Sequence, residues 1–185
     1  MIIFWIIWII WGASEILLNR LMRSGSADKR DQDHGSIRFI WIMIFLAFFF
    51  GIIISANTKI YISTLQGAPY IGLVIIVLGM ILRFISIWTL GRLFTVDITI
   101  REGHKIKKDG VYKLIRHPSY FGTLLSFIGF GITLNNWLSF ITITILITIA
   151  LLHRIKIEEK VLINQFGADY LDYKKNTFHL IPWIY

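Results

Sequence analysis

The sequence predicts an all-α integral membrane protein of about five transmembrane helices, ending in a cytoplasmic amphipathic helix. Three observations predict it. Of 185 residues, 56% are hydrophobic and only 16% are charged, which excludes a disordered chain and points away from an ordinary soluble domain. The apolar residues fall in runs close to the ~20 residues that a spanning helix needs. The basic residues collect in alternate loops between those runs. The runs are continuous rather than alternating, so their backbone amides pair within helices and not around a barrel.

The first run covers residues 2–18. It has no basic leader and no clear small-residue cleavage site, and it carries Trp5, Trp8 and Trp11, so it reads as a retained helix rather than a signal peptide. The polar stretch from Arg20 to Ser36 contains Ser-Gly-Ser and reads as a linker. A second span is expected over 37–55 and a third over 69–90. The third contains Arg83, about 10 Å from its cytoplasmic end at helical rise. An arginine at that depth either snorkels to the interface or faces the bundle, and Glu158 or Glu159 is its expected partner there. Spans over 119–134 and 137–153 form a tight hairpin around Asn135 and Asn136, each short enough to need help from its flanks. From Arg154 to Lys175 there is no proline, and Leu162, Phe166, Tyr170 and Tyr173 recur at helical spacing. That is the amphipathic tail helix, with Gly167 placed to divide it in two.

Charge sets the orientation. Arg20, Arg23, Lys29, Arg30 and Arg38 occupy the first loop; Arg92 to Arg116 holds seven more; Arg154, Lys156, Lys160, Lys174 and Lys175 lie in the tail. The positive-inside rule makes these regions cytoplasmic and the N-terminus external, which needs an odd number of spans. A net charge of +8 confined to such loops points to an anionic membrane surface and not to nucleic acid. Cysteine is absent, so there is no disulfide framework, Cys-ligated zinc or Cys nucleophile. His34, His104, His117, His153 and His179 show no zinc-ligand spacing, and no metal is expected. No GxGxxG or Walker pattern is present.

Two polar clusters carry the chemistry. The run from Gly110 to Gly122 sets Tyr112, Arg116, His117 and Tyr120 beside Pro118, which fixes the start of the fourth span. A helix N-terminus with Arg and His beside it suits an anionic group such as a carboxylate. The second cluster is Arg154, Glu158 and Glu159. Arg154 and Glu158 share one helix face, while Glu159 points about 140° from Arg154. Adjacent carboxylates at a membrane edge each need a cationic or donor partner. The plain alternatives are a positive-inside loop with an aromatic belt, and a solvated Glu pair balanced by Lys156 and Lys160. The functional expectation is that both clusters fold into one cytoplasmic active site.

The two segments together resemble the isoprenylcysteine carboxyl methyltransferase family. Its pattern Gly-x-Tyr-x-x-x-Arg-His-Pro-x-Tyr-x-Gly is met by Gly110, Tyr112, Arg116, His117, Pro118, Tyr120 and Gly122. Arg-x-x-x-Glu-Glu-x-x-Leu is met by Arg154, Glu158, Glu159 and Leu162, and Phe-Gly-x-x-Tyr-x-x-Tyr by Phe166, Gly167, Tyr170 and Tyr173. Arg83 matches a Leu-Arg element, and His104 matches the histidine before Gly-x-Tyr. The resemblance covers roughly the last hundred residues and looks like the compact prokaryotic form, implying a prokaryotic inner membrane. It implies methyl transfer from S-adenosylmethionine to a lipophilic or lipidated acceptor that comes in from the bilayer. His104, Gly110, Tyr112, Arg116, His117, Pro118, Tyr120 and Glu158 are then expected on the cofactor side, and Arg154 and Glu159 in the catalytic centre. Glu159 would fix the cofactor's amine or a neighbouring cation. Two other readings compete. A sterol-reductase-like enzyme using NADPH shares a Pro-aromatic-Ile-Tyr ending like Pro182 to Tyr185, but paired glutamates suit its extra phosphate poorly. A non-enzymatic membrane subunit would use the polar clusters only for helix packing.

Overall fold

Continuous apolar runs become helices throughout the computed structural model, which describes residues 2–22, 35–99, 103 and 105–182. The helices are α1 (Ile2–Leu21), α2 (Ser36–Asn57), α3 (Ala68–Leu90), α4 (Pro118–Thr133), α5 (Trp137–Phe166) and α6 (Ala168–Lys175). Single 3-10 turns at Gly91–Leu93 and Gly110–Lys113 punctuate the connection from α3 to α4. Among the described residues there is no strand beyond two isolated bridges. Most of the linker after α1, together with His104 and Trp183 to Tyr185, lies outside the described residues.

Among the described residues, four helices are long and apolar enough to cross a membrane: α1, α2, α3 and α5. The fourth expected span, α4, has 16 residues and so reaches about 24 Å, short of a ~30 Å hydrocarbon core. It is shielded instead. Gly122, Leu124, Ser126, Phe127, Gly129 and Phe130 are all buried, so α4 is the centre of the bundle. Its small residues let α3 approach backbone to backbone: a Cβ on Gly79 would stand 2.6 Å from the Gly122 carbonyl, and one on Gly129 2.6 Å from that of Gly72. On its other side α1 lays Trp11 against Phe127, ring centroids 4.8 Å apart, and Trp8 against Phe130 at 5.1 Å. The outer face of α1 leaves Trp5, Ile9 and Leu17 exposed, a surface suited to lipid.

Pro118 opens α4 where its missing N–H costs nothing. Asn135, at φ 49, reverses the chain, and the Asn136 side chain caps α5 by accepting from the Ser139 amide at 3.0 Å. The same pair stitches the α2–α3 loop in place: Asn135 Nδ2 donates to the Ser63 carbonyl and Asn136 Nδ2 to Thr58 Oγ1. One end of the bundle is thereby closed, and the polar clusters gather at the other.

The tail differs from expectation. α5 does not stop near His153; it runs unbroken for 30 residues, about 45 Å, because nothing between His153 and Phe166 breaks a helix. The last span and the first half of the tail are one rod. Gly167, at φ 54, ends it, and α6 turns back from there.

Candidate active site

The site is assembled where the tail returns to the loop before α4. Phe178 donates its amide to the Leu114 carbonyl at 2.9 Å and accepts from the Arg116 amide at 2.9 Å. This short parallel pairing sets Arg116 and His117 against the extension of α5. Gly110, at φ 56, starts the turn that presents Tyr112, whose phenol reaches the Ser86 carbonyl at 3.3 Å. Tyr173 of α6 donates to the Tyr112 carbonyl at 2.6 Å, locking the tail over the loop. Burial pushes the phenols of Tyr112, Tyr170 and Tyr173 up from their ordinary value, so all three stay neutral.

One cavity opens between these elements. Tyr112, Arg116, His117, Tyr120, Arg154 and Glu158 all line it, together with apolar Leu93, Ile98, Val161 and Leu162. A chain of hydrogen bonds crosses its wall. Arg154 Nε donates to the Tyr120 hydroxyl at 2.9 Å, and that hydroxyl donates to Glu158 Oε2 at 2.6 Å. Arg154 also donates through Nη1 to Ser36 Oγ at 2.6 Å and through Nη2 to the Val96 carbonyl. Its guanidinium thus joins α5 to α4, to the first turn of α2 and to the loop after α3. The His117 and Tyr120 rings stack with centroids 5.6 Å apart.

Glu159 does something different. Adjacent helix residues point about 100° apart, so while Glu158 faces this cavity, Glu159 turns away from it into a buried hub. Arg116 Nε donates to its Oε1 at 3.0 Å and Lys174 Nζ to its Oε2 at 2.5 Å. His117 Nε2 and His179 Nε2 lie 3.4 and 3.5 Å from Oε1. Nη1 of Arg116 goes to the tail, donating to the Lys174 carbonyl at 2.8 Å and to the Thr177 carbonyl. Glu159, expected in the catalytic centre, therefore holds neighbouring cations and fixes the tail to the loop. His117, Glu159 and His179 bring ligand atoms within 4.8 Å of one another, a set with the chemistry of a divalent-ion site. Arg116 and Lys174 already occupy both carboxylate oxygens, so two positive charges stand where a cation would go, and the hub reads as an ion-pair clamp.

The sequence-predicted residues thus divide. Tyr112, Arg116, His117, Tyr120, Arg154 and Glu158 meet at one cavity; Gly110 and Pro118 act through backbone geometry; Glu159 sits behind the wall; His104 lies outside the described residues. Arg83 pairs with neither Glu158 nor Glu159. Its Nε lies 2.7 Å from Oε1 of Glu15, because α1 and not the tail packs at its depth. Sequence reasoning missed Glu15, Ser36, Lys174 and His179. An acid in one span and a base in another at similar depth was the available signal for Glu15.

The hub gives a pH expectation. Burial pulls the His179 imidazole down from 6.5 to about 4, with His117, Arg116 and Lys174 adding to the fall against the opposing attraction of Glu159. Between pH 6.5 and 4 the unfolded chain takes up a proton that folded His179 refuses, so stability falls as pH falls through that window. Thermal melts of the detergent-solubilised protein should show this decline, and His179→Asn should flatten it. An identical pH slope in the variant would contradict the assignment.

The isoprenylcysteine carboxyl methyltransferase (ICMT) family matches residues 71–164, which include Arg83, both Gly110–Gly122 ends and the Arg154–Glu159 cluster. Protein-S-isoprenylcysteine O-methyltransferase B of Arabidopsis thaliana is 39% identical over 115 residues, 61% of this chain and 58% of that one. Protein-S-isoprenylcysteine O-methyltransferase of Saccharomyces cerevisiae is 34% identical over 116 residues, 62% of this chain and 48% of its own. The solved structure of the eukaryotic intramembrane Ras methyltransferase ICMT superposes with a TM-score of 0.60 at 29% identity, covering 86% of this chain and 55% of that one. The chain spans about half to three-fifths of the length of these relatives. All three are eukaryotic, and they give the expected prokaryotic origin no support.

Proposed function

The chain belongs to the isoprenylcysteine carboxyl methyltransferase family, and on that premise we propose that it moves a methyl group from S-adenosylmethionine to a lipophilic carboxylate at the cytoplasmic membrane face. The observation that carries this reading is the Arg154–Tyr120–Glu158 relay, which joins the two sequence clusters across one cavity. The cytoplasmic placement rests on the positive-inside rule, because Lys105, Lys107, Arg116 and Arg154 line the cavity.

The donor set fits the cofactor. Apolar Leu93, Ile98, Val161 and Leu162 offer a face for a purine, Glu158 and Asp97 offer acceptors for hydroxyl or ammonium groups, and Lys105 and Arg116 offer cations for a carboxylate. When bound there, S-adenosylmethionine would supply a methyl already activated on a sulfonium. The protein then needs no nucleophile of its own; its task is to hold donor and acceptor in line. Arg154, 3% exposed, and Tyr120 stand on that wall as the groups that would orient a carboxylate acceptor. A carboxylate is ionised at neutral pH and needs no general base. The apolar wall and the clamped tail exclude water, which favours a transfer in which a cation and an anion both lose their charge. Glu159 contributes by keeping Arg116 and His117 in place.

The names of the relatives make an S-prenylated cysteine carboxylate the first acceptor to test. Purified protein is titrated with S-adenosylhomocysteine by calorimetry, with NADPH in parallel, and is then incubated with methyl-labelled S-adenosylmethionine and either farnesylcysteine or a lipid extract. Saturable S-adenosylhomocysteine binding and label in the lipophilic product are expected. NADPH binding without S-adenosylhomocysteine binding, or no label in any acceptor, overturns the proposal.

A further inference from the structure

We infer that Glu15, on α1 and outside the family-matched segment, is a positioning residue that sets the first turn of α4 through Arg83. The guanidinium of Arg83 is gripped from two sides. On one side Nη2 donates to Glu15 Oε2 at 2.9 Å while Nε lies 2.7 Å from Oε1. On the other, Nη1 donates to Ser119 Oγ and to Thr123 Oγ1, each at 2.9 Å, and reaches the Ser119 carbonyl at 3.4 Å. Ser119 lines the cavity and stands between His117 and Tyr120, two of its polar groups.

The first turn of any helix lacks intrahelical partners for its leading amides, and α4 has no side-chain cap at His117. Arg83 supplies an external tie at that weak point. A guanidinium can serve as such a tie only if its orientation is fixed, and one carboxylate facing its Nε–Nη2 edge does that. Both partners lie within spans and are largely shielded, with side-chain exposures of 15% and 23%, so the pair is little screened by water or salt. Neutralising Glu15 leaves an intramembrane cation without its counter-ion, free to turn away from Ser119. The consequence falls on the geometry of Tyr120 and His117, although Glu15 touches neither.

Hydrogen exchange of the full chain in detergent, with methyl-transfer kinetics beside it, tests this. Glu15→Gln is expected to speed exchange over residues 118–124 about fivefold or more while the other helices keep their protection. kcat should fall about 10- to 100-fold with little change in KM. Thr123→Ala, which removes one of the two hydroxyls that Nη1 holds and leaves the Glu15–Arg83 pair intact, should loosen the same segment, and the double variant should be no worse than the worse single one. Unchanged exchange at 118–124 in Glu15→Gln overturns the inference, as does a rise spread evenly over all helices. If Glu15→Gln does not accumulate folded, wild-type exchange in Thr123→Ala overturns it. The kinetic arm rests on the proposed methyl transfer and the exchange arm does not, so a wild-type protein that transfers no methyl sinks that function while the exchange result still decides the role of Glu15.

Discussion

Replacing Arg154 by lysine should lower methyl transfer by roughly 10²- to 10³-fold, the loss typical of removing one preorganised donor from a reacting oxygen. The size of the effect comes from geometry. Arg154 is 3% exposed and sends three nitrogens to three different elements: Nε to Tyr120, Nη1 to Ser36 and Nη2 to the Val96 carbonyl. A planar fork makes those contacts simultaneously; a lysine ammonium is a point charge on a flexible stem and cannot span them. Lysine keeps the positive charge in the buried site, so the variant tests donor geometry apart from charge. Alanine would remove both the charge and the donors from a buried site and confuse catalysis with folding. In Arg154→Lys the Tyr120 hydroxyl still donates to Glu158 but is no longer held from behind, so it no longer points into the cavity at a fixed angle. The checks are steady-state kinetics with labelled donor, S-adenosylhomocysteine binding, and circular dichroism to show an intact fold. Turnover within about threefold of wild type would remove Arg154 from the proposed chemistry.

The spans were legible because their hydrophobic runs are long, and the hairpin at Asn135 was legible because two asparagines interrupt an otherwise apolar stretch. The end of the last helix is not legible from charge: the charge that begins at Arg154 marks a boundary of solvation, and the backbone has no reason to break until Gly167. The Arg154–Glu158 face was readable from helical spacing. The burial of Glu159 was not, since it depends on Arg116 and Lys174 arriving from opposite sides. The pairing that brings them there runs through the backbone of Leu114, Arg116 and Phe178, and backbone hydrogen bonds leave no side-chain signature. Arg83 is legible as a buried or snorkelling cation but Glu15 is not legible as its partner, because one acid in an otherwise apolar span does not say which helix packs beside it.

Gly122→Val should destabilise the protein more than any exchange on the lipid-facing surface. An added Cβ at Gly122 would stand 2.7 Å from the Gly79 carbonyl oxygen and 2.8 Å from the Arg83 amide nitrogen. Both obstacles are backbone, so no rotamer change relieves them, and α3 must move away from α4. Overpacking of a core costs ~1–3 kcal/mol. The upper part of that range, about 3 kcal/mol, lowers the melting temperature of a chain this size by roughly 6–12 °C. The contact recurs at Gly72 and Gly129, so displacement at one crossing is not absorbed at the next. It also reaches the site: Arg83 sits on the displaced helix, and its grip on Ser119 and Thr123 is lost as α3 retreats, leaving the first turn of α4 without that tie. Gly12→Val is the matched control. It places the same side chain in α1, where nothing lies within 4 Å of an added Cβ, and it should melt with the wild type. Gly122→Ala should fall between the two. Equal melting of Gly122→Val and Gly12→Val would mean that α3 and α4 do not meet backbone to backbone, and with that contact would go the support for the polar groups above it.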